Sequence, residues 1–140
     1  MPIRMVAKNR YPSLVSAARA ARRKAYSPYS GVKIGAAVLT SDGRIYSGCN
    51  VENASYGLSC CAERIAIFTA VAQGARRIKA IAIAGKSDEF TRPCGACRQV
   101  MVEFNPSVLV LRRGDDGFAE DVKAEDLLPL HFNPDELTNK

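Results

Sequence analysis

The segment Cys61-Ala62-Glu63-Arg64, followed after an apolar stretch by Pro93-Cys94-Gly95-Ala96-Cys97, supplies three thiols and one carboxylate. Three thiolates are one short of a closed structural zinc site, and catalytic zinc sites are the ones that keep a fourth position for water. The pattern therefore points to hydrolytic chemistry on zinc held by Cys61, Cys94 and Cys97. Glu63 stands two residues beyond the first ligand, close enough to carry the proton of an activated water without itself binding the metal. Cys94 and Cys97 are three apart, which on a helix puts both side chains on one face. Cys61 also opens a predicted helix, so two helix N-termini converge on one ion and favour thiolate over thiol. The Cys-x-x-Cys pair alone is weakly specific, being shared with redox dithiols and with half of many zinc knuckles. Joined to Cys-Ala-Glu-Arg it is much stronger.

Three thiolates around a doubly positive ion leave the set formally at minus one, which blunts the acidity of a bound water unless something draws density from the sulfurs. Arg64 and Arg98 each follow a ligand segment directly. Arg64 is expected to donate to thiolate. For Arg98 the same role and that of an ordinary exposed helix residue stand side by side. The one histidine, His131, lies after Pro129 and reads as a surface or interface residue, too isolated for Ser-His-Asp or Cys-His machinery. That leaves Glu63 as the proton carrier. A closed, non-enzymatic zinc module completed by Cys49, Cys60 or His131 is the rival reading.

The elements that must position these residues follow from periodicity. Pro12 suits the first turn of a helix whose small residues Ala18, Ala21 and Ala25 recur with Leu14 at helical spacing, ending before Ser27-Pro28. Residues 33–40 and 44–49 are β-like runs around Ser41-Asp42-Gly43, a hairpin signal. Residues 61–73 read as a helix closed by Gly74, and 78–84 as a strand buried on both faces. Pro93 introduces a third helix to about Phe104, residues 108–111 are another buried strand, and Asp115-Asp116-Gly117 turns into a fifth strand at 118–122 before a short helix at 124–128. One sheet flanked by helices fits this order.

The 140 residues are predicted to form a single domain, with 1–10 a loose lead-in. A chain of this size buries roughly 70% of its unfolded surface and needs no staples. Five cysteines are an odd number and two are adjacent, and residues 1–10 lack the apolar run of a signal peptide, so a reducing cytoplasm is expected. No apolar run reaches the roughly 20 residues of a membrane span. The net charge of +6 invites a nucleic-acid partner. However, Arg19, Arg22, Arg23 and Lys24, and then Arg76, Arg77 and Lys79, cluster at or just past helix ends, where cations complement the dipole, and no aromatic residues interleave with them. A solvated surface is the favoured reading, with no polynucleotide and no membrane as partner.

Tyr29-Ser30, Gly35-Ala36-Ala37, the run from Gly48 to Gly57, Cys-Ala-Glu-Arg, the segment from Pro93 to Val100 and Leu127-Leu128-Pro129 together resemble the short, homotetrameric cytidine deaminases. Among zinc nucleobase deaminases three Cys can replace one His and two Cys. The resemblance implies a three-layer α/β/α fold with a mixed sheet of about five strands, one Zn(II) per subunit, and hydrolysis of cytidine and 2′-deoxycytidine in pyrimidine salvage. It implies that Asn50 and Glu52 hydrogen-bond the ribose, particularly its 3′-hydroxyl; without it, turn chemistry after a strand is the reading of that pair. It further implies that Ala54 and Phe132 reach a neighbouring subunit's pocket in a homotetramer with shared active sites, and that Tyr56 lies at an interface. Taken alone, Phe132 reads as core. Val32 departs from the family's usual Phe, whose ring packs on the base, so the roughly 1–3 kcal/mol of stacking cannot be assumed. That departure raises the standing of another aminopyrimidine nucleoside, such as a blasticidin-like antibiotic, as substrate. Arg92 replaces a frequent Ser or Thr where the family uses only a backbone carbonyl.

Overall fold

Pro12 lacks an N–H that a first turn would leave unbonded anyway. Helix α1 runs Pro12–Arg22 in a computed structural model that describes residues 11–86, 92–113 and 119–138. Leu14, Val15, Ala18 and Ala21 form its buried stripe. The periodicity to Ala25 overshoots the α-helix. After Arg22 the bonds tighten to i→i−3, and Tyr26 then spends its backbone groups on Asn50 and Glu52 across the fold. A tertiary bridge thus overrides local spacing.

Strands β1 (Gly35–Thr40) and β2 (Ile45–Cys49) form the expected hairpin, in register from Gly35 opposite Cys49 to Leu39 opposite Ile45. Helix α2 spans Ala62–Ala72 and ends at Gly74, whose φ of 102° is open only to a residue without a Cβ. Strand β3 (Ile78–Ala84) is buried except at Lys79. Then follow α3 (Gly95–Phe104), β4 (Leu109–Arg113), β5 (Ala119–Lys123) and the short helices α4 (Ala124–Leu127) and α5 (Asp135–Thr138). The expected turn at 115–117 and position 118 lie outside the described residues, as does the lead-in.

The sheet order is β2-β1-β3-β4-β5, with β3 and β4 parallel and the other neighbours antiparallel. Parallel neighbours need a crossover, and α3 lies on it. Alternation along each strand divides the core in two. Ala37, Ala80, Ala82, Ala84 and Leu111 face α1, while Ala36, Val38, Ile81, Ile83 and Val110 face α2 and α3. The fold is therefore the three-layer α/β/α arrangement with a mixed sheet. The α1 layer sits very close. A Cβ built on Gly35 would fall 2.1 Å from the Ala18 carbonyl oxygen. No helix among the described residues is long and apolar enough to cross a membrane. The basic residues partly serve the fold. Arg76 donates to the carbonyls of Val71 and Ala75 past the end of α2, and Arg22 Nε donates to the carbonyl of Lys33.

Candidate metal centre

Cys61 and Cys94 occupy the same local position on two helices, the residue at which extended backbone turns into helix. Each has β-region φ and ψ, and each carbonyl accepts the first intrahelical bond, Cys61 from Ile65 N and Cys94 from Arg98 N. Cys97 lies in the first turn of α3 and is buried, Cys61 is half-buried and Cys94 exposed. Because α2 and α3 share one face of the sheet, these starts meet. The sulfurs of Cys61 and Cys94 are 3.7 Å apart and those of Cys94 and Cys97 3.5 Å. With Zn–S bonds of about 2.3 Å, the edge of a tetrahedral site is about 3.8 Å, close to both of these distances, and all three sulfurs lie within 4.8 Å of one another. Among the described residues, neither Cys49, Cys60 nor His131 joins this group. His131 instead contacts the carbonyl of Leu128.

The electrostatics suit an anionic sulfur cluster. A hydrogen bond with Cys97 is the chief reason that the Cys61 thiol is pushed down to about 5, with Arg64 and Cys94 adding to the effect and burial opposing it. Cys97 moves the other way, as the partner in that bond and because it is buried. One negative charge thus forms readily while further ones call for a cation. Arg64 Nη2 lies 3.6 Å from Cys61 Sγ and supplies part of it, as the sequence suggests. Among the described residues, Arg64 Nε is buried with no hydrogen-bond partner. A donor so placed fits a set that becomes more anionic when all three thiols ionise to take a metal. Replacing Arg64 with Gln is expected to leave three Cys ligands in place, slow turnover and shift the basic limb of its pH–rate profile upward. An unchanged rate and profile would return Arg64 to a packing role.

Glu63, in the first turn of α2, is only 4% exposed. Burial raises its carboxyl above the ordinary range, the charge of Cys61 adds to this, and a hydrogen bond with Cys97 opposes it. It is adjacent to the sulfur group without being a member. Arg98 fits neither alternative raised by its sequence position. It is half-buried, and its guanidinium donates to two backbone carbonyls, those of Pro93 and Leu127.

The substrate candidates gather on an adjoining loop system. Val51 exchanges backbone hydrogen bonds with Cys60, which brings the 50–52 segment alongside the start of α2. Asn50 Oδ1 accepts from Ile34 N and its Nδ2 donates to Val32 O, so the turn chemistry is real. Glu52 accepts from Tyr29 N, Ser30 N and Ser30 Oγ. The Ser30 bonds lead in holding its carboxyl below the usual range. Val32 and Phe132 are more than half exposed, and Ala54 and Tyr56 are exposed as well, so Phe132 is not core. An open cleft of about 310 Å³ lies between Tyr29, Ser30, Glu52, Tyr56 and Ser59. The sequence pointed to Ser30 only as one member of a matching dipeptide. Its place as the partner that fixes Glu52 comes from a fold that joins positions 22 residues apart.

A sequence model of the cytidine and deoxycytidylate deaminase zinc-binding region matches residues 8–112. Cytidine deaminase of Sporosarcina psychrophila is 44% identical over 126 residues, covering 89% of this chain and 93% of its own. That of Halalkalibacterium halodurans is 42% identical over 127 residues, 90% of this chain and 96% of its own. The crystal structure of cytidine deaminase from Burkholderia pseudomallei superposes with a TM-score of 0.83 at 50% identity, covering 87% of this chain and 98% of that one. A match over three quarters of the chain that includes the three clustered thiols, joined to relatives similar over nearly their whole length, leads to one conclusion: this chain belongs to the zinc-binding cytidine and deoxycytidylate deaminase family.

Proposed function

We propose that this protein hydrolyses cytidine and 2′-deoxycytidine to uridine and 2′-deoxyuridine with release of ammonia, a step of pyrimidine salvage. The observation that carries the reading is a three-sulfur face with a buried carboxylate beside it and outside the ligand group. Cys61, Cys94 and Cys97 are the residues to hold zinc, which when bound lowers the pKa of water toward neutrality. Glu63 takes the proton released as the water oxygen bonds to C4 and delivers it to N3. A second proton passes through Glu63 to the amino group, the C4–N bond breaks, and the new oxygen remains as the C4 carbonyl. Atoms balance as water plus cytidine giving uridine plus ammonia. Burial raises the Glu63 carboxyl above its ordinary range, in the direction that suits a group which must both accept and donate a proton.

Asn50 and Glu52 are assigned to the sugar. Their loop bonds leave room for this. A carboxylate has about four lone-pair sites and Glu52 uses three, while Asn50 keeps a second N–H and a second lone pair. A 3′-hydroxyl is common to ribose and deoxyribose, which supports both nucleosides as substrates. The exposure of Ala54, Tyr56 and Phe132 supports shared active sites in a homotetramer. An absorbance assay comparing cytidine, cytidine monophosphate and a short cytosine-containing strand tests the assignment. Free cytidine is expected to react fastest, and preference for the strand would overturn the reading.

Val32 marks the base-binding end. Val32 is 55% exposed within the subunit, so a larger ring meets no overpacking from its own chain. Val32→Phe is expected to lower the KM for cytidine, at most by the roughly tenfold to hundredfold equivalent to 1–3 kcal/mol of stacking. A higher KM with fold and zinc intact would mean a pocket shaped for Val and a different aminopyrimidine nucleoside as substrate.

A further inference from the structure

We propose that Arg98 is a positioning residue for the metal centre, which holds the backbone on both sides of Cys94 and fastens it to the C-terminal segment. The proposal rests on the reading of Cys94 as a zinc ligand. Cys94 is the exposed member of the trio and lacks the packing that holds the buried Cys97. Its backbone is held instead. The peptide before it presents the Pro93 carbonyl to Arg98 Nε at 2.8 Å, and the peptide after it presents the Cys94 carbonyl to Arg98 N at 3.0 Å. A single residue therefore fixes both peptide planes that set the φ of −69° and ψ of 169° at Cys94, and with them the direction of its Cα–Cβ bond. The second arm of the guanidinium, Nη1, reaches the Leu127 carbonyl at 2.9 Å. That carbonyl ends α4 and has no acceptor role inside the helix, so a cation is a natural cap for it. Gln99 extends the seam by donating from Nε2 to the Phe132 carbonyl at 2.9 Å. The ligand loop and the segment carrying Phe132 are thus docked to the same turn of α3.

A guanidinium can do this because its donors diverge in a rigid fork, whereas an ammonium is a point charge at the end of a flexible stem. Arg98→Gln and Arg98→Lys therefore separate the fork from the charge. Zinc affinity measured by competition with a chelator is expected to fall about tenfold to a hundredfold in both variants, the range for losing a group that orients a ligand. The cobalt-substituted protein should show a changed visible spectrum in both. Gln99→Ala, which frees only the Phe132 carbonyl, should keep zinc affinity within about threefold and leave the spectrum as it is. Wild-type zinc affinity and cobalt spectrum in Arg98→Gln would overturn the proposal. So would wild-type affinity in Arg98→Lys, because charge alone would then suffice, and that variant decides the matter if Arg98→Gln fails to fold. A loss in Gln99→Ala equal to that in Arg98→Gln would overturn it too, by placing the effect in tail docking at large. Failure of the unsubstituted chain to bind zinc would instead sink the reading of the metal centre beneath it.

Discussion

Glu63→Gln is expected to bind one zinc ion per chain, keep the fold and lose deaminase activity by roughly 10²–10⁴-fold, the contribution of a positioned proton carrier. Glutamine has the same shape and still occupies the space beside Cys97, so the packing around this 4% exposed side chain is preserved. What it lacks is the capacity to take up a proton at one moment and release it at the next. With the single histidine engaged at the Leu128 carbonyl, no neighbouring imidazole stands in. Zinc content, circular dichroism and the rate of absorbance change on cytidine decide the result together. Loss of zinc would make Glu63 a ligand, and near-normal turnover with zinc retained would remove it from the chemistry.

Gly35→Ala is the substitution expected to damage the fold most. The added methyl would lie 2.1 Å from Ala18 O, 2.4 Å from Arg22 N and 2.8 Å from Arg22 Cα, all backbone atoms of α1. Neither side can yield easily. Gly35 sits in the sheet interior, paired with Cys49 on one flank and Ala84 on the other, and α1 is anchored through Leu14, Val15 and Ala18. Lifting the helix would open its alanine-lined seam. The loss is expected at about 3 kcal/mol or more, the upper part of the range for overpacking. In a chain of this size that lowers Tm by roughly 10 °C. A scanning calorimetry midpoint within a degree or two of the unsubstituted protein would show that α1 rides loosely on the sheet.

The trio of thiols could be read from sequence because each signal is local. Cys94 and Cys97 share a helical face by spacing, and Cys61 and Cys94 both precede runs with helical periodicity. The same holds for the order of helices and strands along the chain and for Gly74. Other features depend on partners far along the chain. In sequence Arg98 fits thiolate and solvent equally well because its second carbonyl partner is 29 positions away, and nothing in the spacing announces it. Helix α1 stops at Arg22 although apolar spacing continues, because Tyr26 is claimed by a bridge to the 50–52 segment. Phe132 has a core-like side chain on an exposed segment, and hydrophobicity alone does not register exposure. Asn50 shows a different limit. The turn and sugar readings looked like rivals in sequence, yet an amide has enough donors and acceptors for both.

The placement of Cys61 and Cys94 at the first positions of two different helices also bears on how the chain holds together. These thiols are 33 positions apart in sequence, on two helices that share one core cluster with the sheet. An ion coordinated by both adds a cross-link between the starts of two helices distant in sequence, and it binds the folded chain in preference to the unfolded one. Ligands of that kind add stability as the logarithm of their free concentration, about 2.7 kcal/mol at a hundred times the dissociation constant. The resistance of this protein to unfolding is accordingly not a fixed property of its sequence. It follows the supply of free zinc, so that scarcity of the metal weakens the scaffold even while the site is still nearly full.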